Sequence, residues 1–263
     1  MSKVNSQADG RAVQTVSDSL LTEIKSVVRG PSVALMLYGS QARGSADSNS
    51  DVDVLQIAYR KAGSYSDGRV SVTAYTPAHL RRMAERGSLF VLHLQSEGIE
   101  LEDPKGVLRD ALSAYKAPSS YESLLAELRS AARAVAVNGI EFETLHEELG
   151  RLGIYLLRTW LYLENVKVGI TAFEVDDAAT AHGDNEMLEI LRLRRAKSLS
   201  REDAVAIQAK VMVTFSLEPE ESKNLSELVR ELAAEHPHAS ALIQQVLEYL
   251  DTLNYADMPL PPL

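Results

Sequence analysis

Apolar residues recur at three- and four-residue intervals through Val13, Val16, Leu20, Ile24, Val27 and Val28. That spacing predicts a helix over 13–28, closed by Pro31. The run Ser-Val-Ala-Leu-Met-Leu-Tyr over 32–38 has the length and composition of a buried strand, and Gly39-Ser40 breaks it. Residues 52–59 open with acidic and apolar positions in alternation and predict a second strand. Gly63, Ser64, Ser66, Asp67 and Gly68 read as a loop, and 69–75 as a third strand with polar alternation. The period then changes. Thr76 is an N-cap followed by Pro77 at the first helical position, and 88–97 forms an apolar helix with Gly98 as a left-handed stop. Ile99, Glu100 and Leu101 form a short edge strand. From Tyr121 onward the pattern is helical almost throughout. Leu124, Leu125, Leu128, Ala131 and Ala132 mark one helix, and Leu149, Leu152, Tyr155, Leu156, Trp160 and Leu163 a long one. Ser200 with Asp203 starts another in capping-box fashion, and the last covers 239–253 before a proline-rich tail. The expected fold class is α+β: a small α/β domain with a mixed sheet over 1–117, followed by an all-helical domain over 118–263, with Pro118-Ser119-Ser120 at the boundary.

Composition narrows the function classes. Cysteine is absent from the 263 residues, which excludes disulfide frameworks, thiolate metal sites and cysteine nucleophiles. No apolar run approaches the ~18 residues of a membrane span, and the N-terminus is polar, so no membrane partner and a cytoplasmic location are expected. The net charge of −10 falls entirely after residue 115, since acidic and basic residues balance before it. An acidic second half argues against strong sequence-blind binding of nucleic acid, without excluding a local basic groove.

The chemistry-bearing stretch is residues 39–54, Gly-Ser-Gln-Ala-Arg-Gly-Ser-Ala-Asp-Ser-Asn-Ser-Asp-Val-Asp-Val. A buried strand ends in Gly39-Ser40 and turns into a short helix. Glycine lets backbone approach a ligand closely, and the turn's amides favour an anion. Ser40 adds a hydroxyl donor, and Arg43 follows about one turn later. Asp51 and Asp53 fall at i and i+2 of the next strand and so share one face. Two carboxylates on one face repel each other unless a hard divalent cation lies between them, and Mg²⁺ accepts such oxygens together with substrate phosphate. A phosphate cradle beside a carboxylate metal site describes phosphoryl or nucleotidyl transfer.

This string resembles the nucleotidyltransferase superfamily that includes DNA polymerase β, in the form of its small bacterial members. Gly39 and Ser40 match the turn of that signature, Asp51 and Asp53 its metal-binding pair, and Arg43-Gly44 and Ser50 its commoner bacterial version. The likeness covers about residues 32–115. It implies a nucleotidyltransferase domain followed by helices, with Asp51 and Asp53 catalytic and holding Mg²⁺ (or Mn²⁺), and with Gly39, Ser40, Arg43 and Ser50 binding the nucleotide. The reaction implied is transfer of a nucleoside monophosphate from an NTP or dNTP to a hydroxyl acceptor, with release of pyrophosphate. The acceptor stays open among a short oligonucleotide, a partner protein and a small molecule, and so does a homo-oligomer. Template-independent oligonucleotide or nucleotide-signal synthesis in phage defence is the reading preferred. A protein-AMPylating toxin–antitoxin component, an aminoglycoside nucleotidyltransferase and a degenerate nucleotide-binding module are the alternatives. The resemblance also implies a third carboxylate in the next strand. Ser71 stands at that position, which leaves Asp67, Glu100 or another base to fill the role.

Other constellations are weaker. Arg192, Arg194, Arg195, Lys197 and Arg201 form a basic cluster in an acidic half. On a continuous helix Arg194, Lys197 and Arg201 share a face that could hold phosphate or a nucleic-acid backbone. His79 follows the third strand. His93 reads as a core histidine, and Tyr155, Trp160 and Tyr162 read as helix packing. Arg230 and His236 resemble the Arg…His motif of HEPN-type ribonucleases.

Overall fold

The computed structural model describes residues 16–46, 50–60, 63–218 and 224–248. The expected helix start at Val13, residues 47–49 of the motif, the last helix beyond 248 and the proline-rich tail lie outside them. The chain packs as two compact units. One runs to Pro77 and takes in Glu97–Arg109. The other comprises Ala78–Ser96 and the chain from Asp110 on. Residues 78–96, N-terminal to Pro118, therefore pack with the helical part.

The first unit is built on a mixed sheet. Helix α1 (Asp18–Val27) starts at Ser17, whose hydroxyl accepts the Leu20 amide at 3.2 Å. Strand β1 (Ala34–Tyr38) leads into a single helical turn, α2 (Gly39–Arg43), and then come β2 (Val52–Ile57), β3 (Tyr65–Asp67), β4 (Val70–Tyr75) and, later in the chain, β5 (Ile99–Glu102). The order across the sheet is β3-β4-β2-β1-β5. Only the β2–β4 pairing is parallel, while β1 is antiparallel to both β2 and β5. On one face Leu35, Leu37, Val52, Val54, Val70 and Val72 pack with Ile24, and the flanking apolar residues of α1 close over them. That burial makes α1 part of the sheet's core.

Two expectations change here. The segment expected to be all loop contains β3, an edge strand that its Gly- and Ser-rich flanks conceal. Tyr65 anchors it: its hydroxyl donates to buried Gln56 Oε1 at 2.8 Å and accepts the Arg29 amide at 2.8 Å. Gln56 Nε2 in turn reaches Ser32 Oγ and the Arg29 carbonyl, both at 2.9 Å, so a polar side chain inside the core is satisfied. Gly98 is the second change, since it does not take the left-handed conformation expected of a helix stop.

The second unit is helical in its described residues: α3 (Pro77–Glu85, begun by the last residue of the first unit), α4 (Leu89–Glu97), α5 (Val107–Ser113), α6 (Glu122–Ala132), α7 (Ile140–Lys167), α8 (Val175–His182), α9 (Asn185–Arg192), α10 (Arg201–Phe215), α11 (Leu225–Leu232) and α12 (Pro237–Leu247). Glu97, the last residue of α4, and residues 107–109, which open α5, belong to the first unit. Ser200 and Asp203 form the expected capping box of α10. The long helix α7 packs against α10 through small residues. A Cβ on Gly150 would come 2.8 Å from Leu199 Cδ1, and one on Gly153 2.5 Å from Ile207 Cγ2. Ile207 is β-branched and fully buried, so it has little room to yield. Gly153→Ala is therefore expected to destabilise the protein by about 1–2 kcal/mol in urea unfolding, although alanine favours helix. In an Ile207→Ala background the same change is expected to be neutral or stabilising.

Candidate functional site

Strand β1 is buried along its whole length and ends at Tyr38. The chain then turns at Gly39 with φ of +73°, a conformation that a side chain disfavours. Space imposes a second requirement: a Cβ on Gly39 would lie 2.6 Å from Asp53 Oδ2. The Asp53 carboxylate thus rests directly against the Gly39 backbone, and the turn is shaped around it. Gly44, with φ of +75°, ends the helical turn, and the Ser45 amide bonds back to the Ser40 carbonyl at 3.1 Å.

Register decides which residues share the Asp53 face. Asp53 pairs laterally with Tyr38 on β1 and with Ser71 on β4, and Ser71 pairs with Ser66 on β3. Lateral partners point to the same side of a sheet, so Ser66, Ser71, Asp53 and Tyr38 form one row. Asp67 is opposite Val70 and belongs to the α1 face, away from Asp53. Glu100 pairs with Met36 of β1, which puts it two strands from Asp53, and its carboxylate lies 3.3 Å from Arg109 Nε. The row beside Asp53 therefore carries hydroxyls where the resemblance implied a third acid. The Tyr38 hydroxyl is hydrogen-bonded to Thr73 Oγ1 at 3.2 Å, which takes the ring across β2 on the Asp53 side. Sequence reading missed this Tyr38–Thr73 brace. Its only trace was a tyrosine closing an otherwise aliphatic strand.

Asp51 is exposed and stands at the head of β2, two residues before Asp53. The β2–β4 ladder begins beside it, with the Val52 amide on the Arg69 carbonyl at 2.8 Å. The Arg69 side chain is committed elsewhere. It makes two hydrogen bonds to Glu23 of α1, at 2.9 and 2.7 Å, which hold the Glu23 carboxyl below the usual range. Ser40 and Ser50 are half-buried. Arg43 departs from expectation: its guanidinium forms an ion pair with Glu97, and both side chains are largely buried. As a phosphate ligand it would have to give up that carboxylate.

Among the described residues no group of three or more His, Asp or Glu forms a ready-made metal site. Mg²⁺ commonly takes one or two carboxylates and completes its shell with water and substrate oxygens. Asp51 and Asp53 suit that arrangement and do not suit an all-protein cage.

The basic strip of the second unit does not form as expected. The helix is broken: a 3-10 turn (Leu193–Arg195) ends the segment after α9, and α10 begins only at Arg201. Arg194, Lys197 and Arg201 therefore share no helical face. Ser200 prefers to cap α10, and that preference interrupts the run. Arg201 makes a two-pronged pair with Glu143, its closest contact 2.7 Å. Lys197 is exposed. His93 is a core residue as expected, stacked on Phe173 at 4.8 Å between ring centres. Arg230 bonds the Ser226 carbonyl of its own helix, while His236 Nδ1 lies 3.4 Å from Glu127, which also caps α12 through the Ala239 amide.

No family model matches the chain, and comparison with curated proteins gives no match. Gly39→Ala is expected to cost on the order of 2 kcal/mol in urea unfolding, from backbone strain plus the clash with Asp53. Combining it with Asp53→Ala is expected to cost less than the sum of the two single changes, because the clash is then gone.

Proposed function

We propose that this protein is a metal-dependent nucleotidyltransferase that moves a nucleoside monophosphate from an NTP or dNTP onto a hydroxyl acceptor and releases pyrophosphate. The observation that carries this reading is the Asp53 carboxylate seated against the side-chain-free Gly39 turn at the end of a buried strand. A carboxylate set against a backbone turn suits a cation and a polyphosphate together. Asp51 and Asp53 would hold Mg²⁺, or Mn²⁺, which supplies charge neutralisation on the phosphates. Gly39 keeps the turn free of a side chain, and Ser40 and Ser50 would donate from their hydroxyls to phosphate oxygens. Arg43 serves the first unit by neutralising Glu97 and takes no part in this reading.

The acceptor is a hydroxyl compound in keeping with an acidic helical half, such as a short oligonucleotide, a partner protein or a cationic small molecule. Template-independent synthesis of a nucleotide signal or short oligonucleotide remains the preferred form.

One observation favours a second reading. Ser71, not an acid, lies directly beside Asp53, and serine does not serve as a base at neutral pH. A protein that binds nucleotide without turning it over fits that row. The experiment measures pyrophosphate released from each NTP and dNTP with Mg²⁺ or Mn²⁺, alongside calorimetric binding. Transfer predicts release that falls by at least about a hundredfold in Asp51→Asn and Asp53→Asn, with folding unchanged by circular dichroism. Binding with no release from any nucleotide selects the second reading, and wild-type rates in both variants overturn the metal assignment.

A further inference from the structure

Helix α2 is a single turn of five residues, too short to hold itself together. At its C-terminal end the Gly44 amide reaches the Gln41 carbonyl at 3.4 Å, and the Ser45 amide the Ser40 carbonyl at 3.1 Å. Two side chains fasten the turn to the rest of the first unit. Ala42 is buried in the apolar layer under α1. Arg43, the next residue, donates from Nη1 to Glu97, 54 positions further along the chain. The Glu97 side chain is 4 % exposed and that of Arg43 16 %. A pair this dry is asymmetric in its energetics. Removing one partner strands the other's charge, whereas replacing both by apolar residues of similar volume is often neutral. The pair carries no net charge, so what it gives the neighbouring site is geometry.

Gly39 and Ser40, which the proposed function gives to polyphosphate, open this same turn. Asp53 rests against its first residue, and Glu97 holds its last. We propose that Glu97, acting through Arg43, is a positioning residue that keeps the Gly39–Arg43 turn in the shape that receives the phosphate groups of a nucleotide. The inference rests on the reading of that turn as a phosphate site and adds to it a residue far outside the motif. It also separates two roles for Arg43 that predict opposite signs. An arginine that binds phosphate is released when Glu97 loses its charge, and polyphosphate then binds more tightly. Loss of a nearby negative charge acts in the same direction by Coulomb attraction alone. An arginine that holds the turn holds it less firmly once its acceptor is neutral, and polyphosphate then binds more weakly.

The test measures binding of Mg²⁺–tripolyphosphate to the full-length protein by calorimetry, and amide hydrogen exchange of the ligand-free protein by NMR. Glu97→Gln is expected to weaken binding. Arg43→Met combined with Glu97→Leu strands no charge and is expected to melt near the wild-type temperature. In that double variant the Ser45 amide is expected to exchange about tenfold faster while the β1–β2 ladder exchanges as in wild type, and tripolyphosphate to bind about tenfold more weakly. Arg43→Lys keeps a charge pair and is expected to bind more tightly than the double variant. Tighter binding by Glu97→Gln overturns the proposal, and so does wild-type affinity or wild-type Ser45 exchange in the double variant. In each of these failures Asp53→Asn still weakens binding, which leaves the nucleotide reading standing. A wild type that binds no tripolyphosphate overturns that reading and the positioning role with it.

Discussion

A carboxylate occupies space that residue 39 must leave empty. Asp53 Oδ2 lies where a Cβ of residue 39 would stand, and the positive φ of Gly39 turns the chain at that point. The rest of the first unit supports this contact. The β1–β2 pairing sets Tyr38 opposite Asp53, the β2–β4 pairing sets Ser71 on the other side, and the α1 core fixes which face each residue takes. A slip of one residue in either ladder would send Asp53 into the aliphatic layer under α1. The valines at 52, 54, 70 and 72 make that slip costly, so the hydrophobic pattern itself aims the acid.

Several charges of both units are matched within the fold. Arg43 with Glu97, Arg69 with Glu23 and Arg201 with Glu143 are matched, and each pair ties together segments distant in sequence. This sorting changes what a basic or acidic residue signifies. Arg43 and Arg201 read as phosphate ligands on type and spacing alone, and the fold pairs each with an acid. Arg194 likewise lies 3.7 Å from Glu174, a neighbour the sequence could not display.

Much of the architecture was legible from periodicity. The α+β class and helices from Tyr121 onward follow from apolar spacing, the mixed sheet was an expectation of the resemblance, and the Ser200–Asp203 cap follows from its local signature. Element β3 was hidden because a three-residue edge strand has no period of its own and depends on Tyr65 reaching Gln56 in a distant strand. The break between Arg192 and Arg201 was implicit in the Ser200 cap, since a helix that starts after Ser200 cannot share a face with Arg194 and Lys197. At the candidate site, residue types marked Gly39, Ser40, Asp51 and Asp53. Three-dimensional register was needed to place Asp67 on the opposite face and Glu100 two strands from Asp53. Tyr38 and Thr73 lay outside any local pattern because their contact crosses an intervening strand.

In the proposed function the Gly39 turn and Asp53 meet a divalent cation and a polyphosphate at one place. Paramagnetic broadening of backbone amide NMR signals by sub-stoichiometric Mn²⁺, in the presence of a non-hydrolysable nucleoside triphosphate, tests it most directly. Gly39, Ser40 and Asp53 are expected to broaden first, and excess Mg²⁺ to restore them. Signals at these three that stay sharp while others broaden would contradict it.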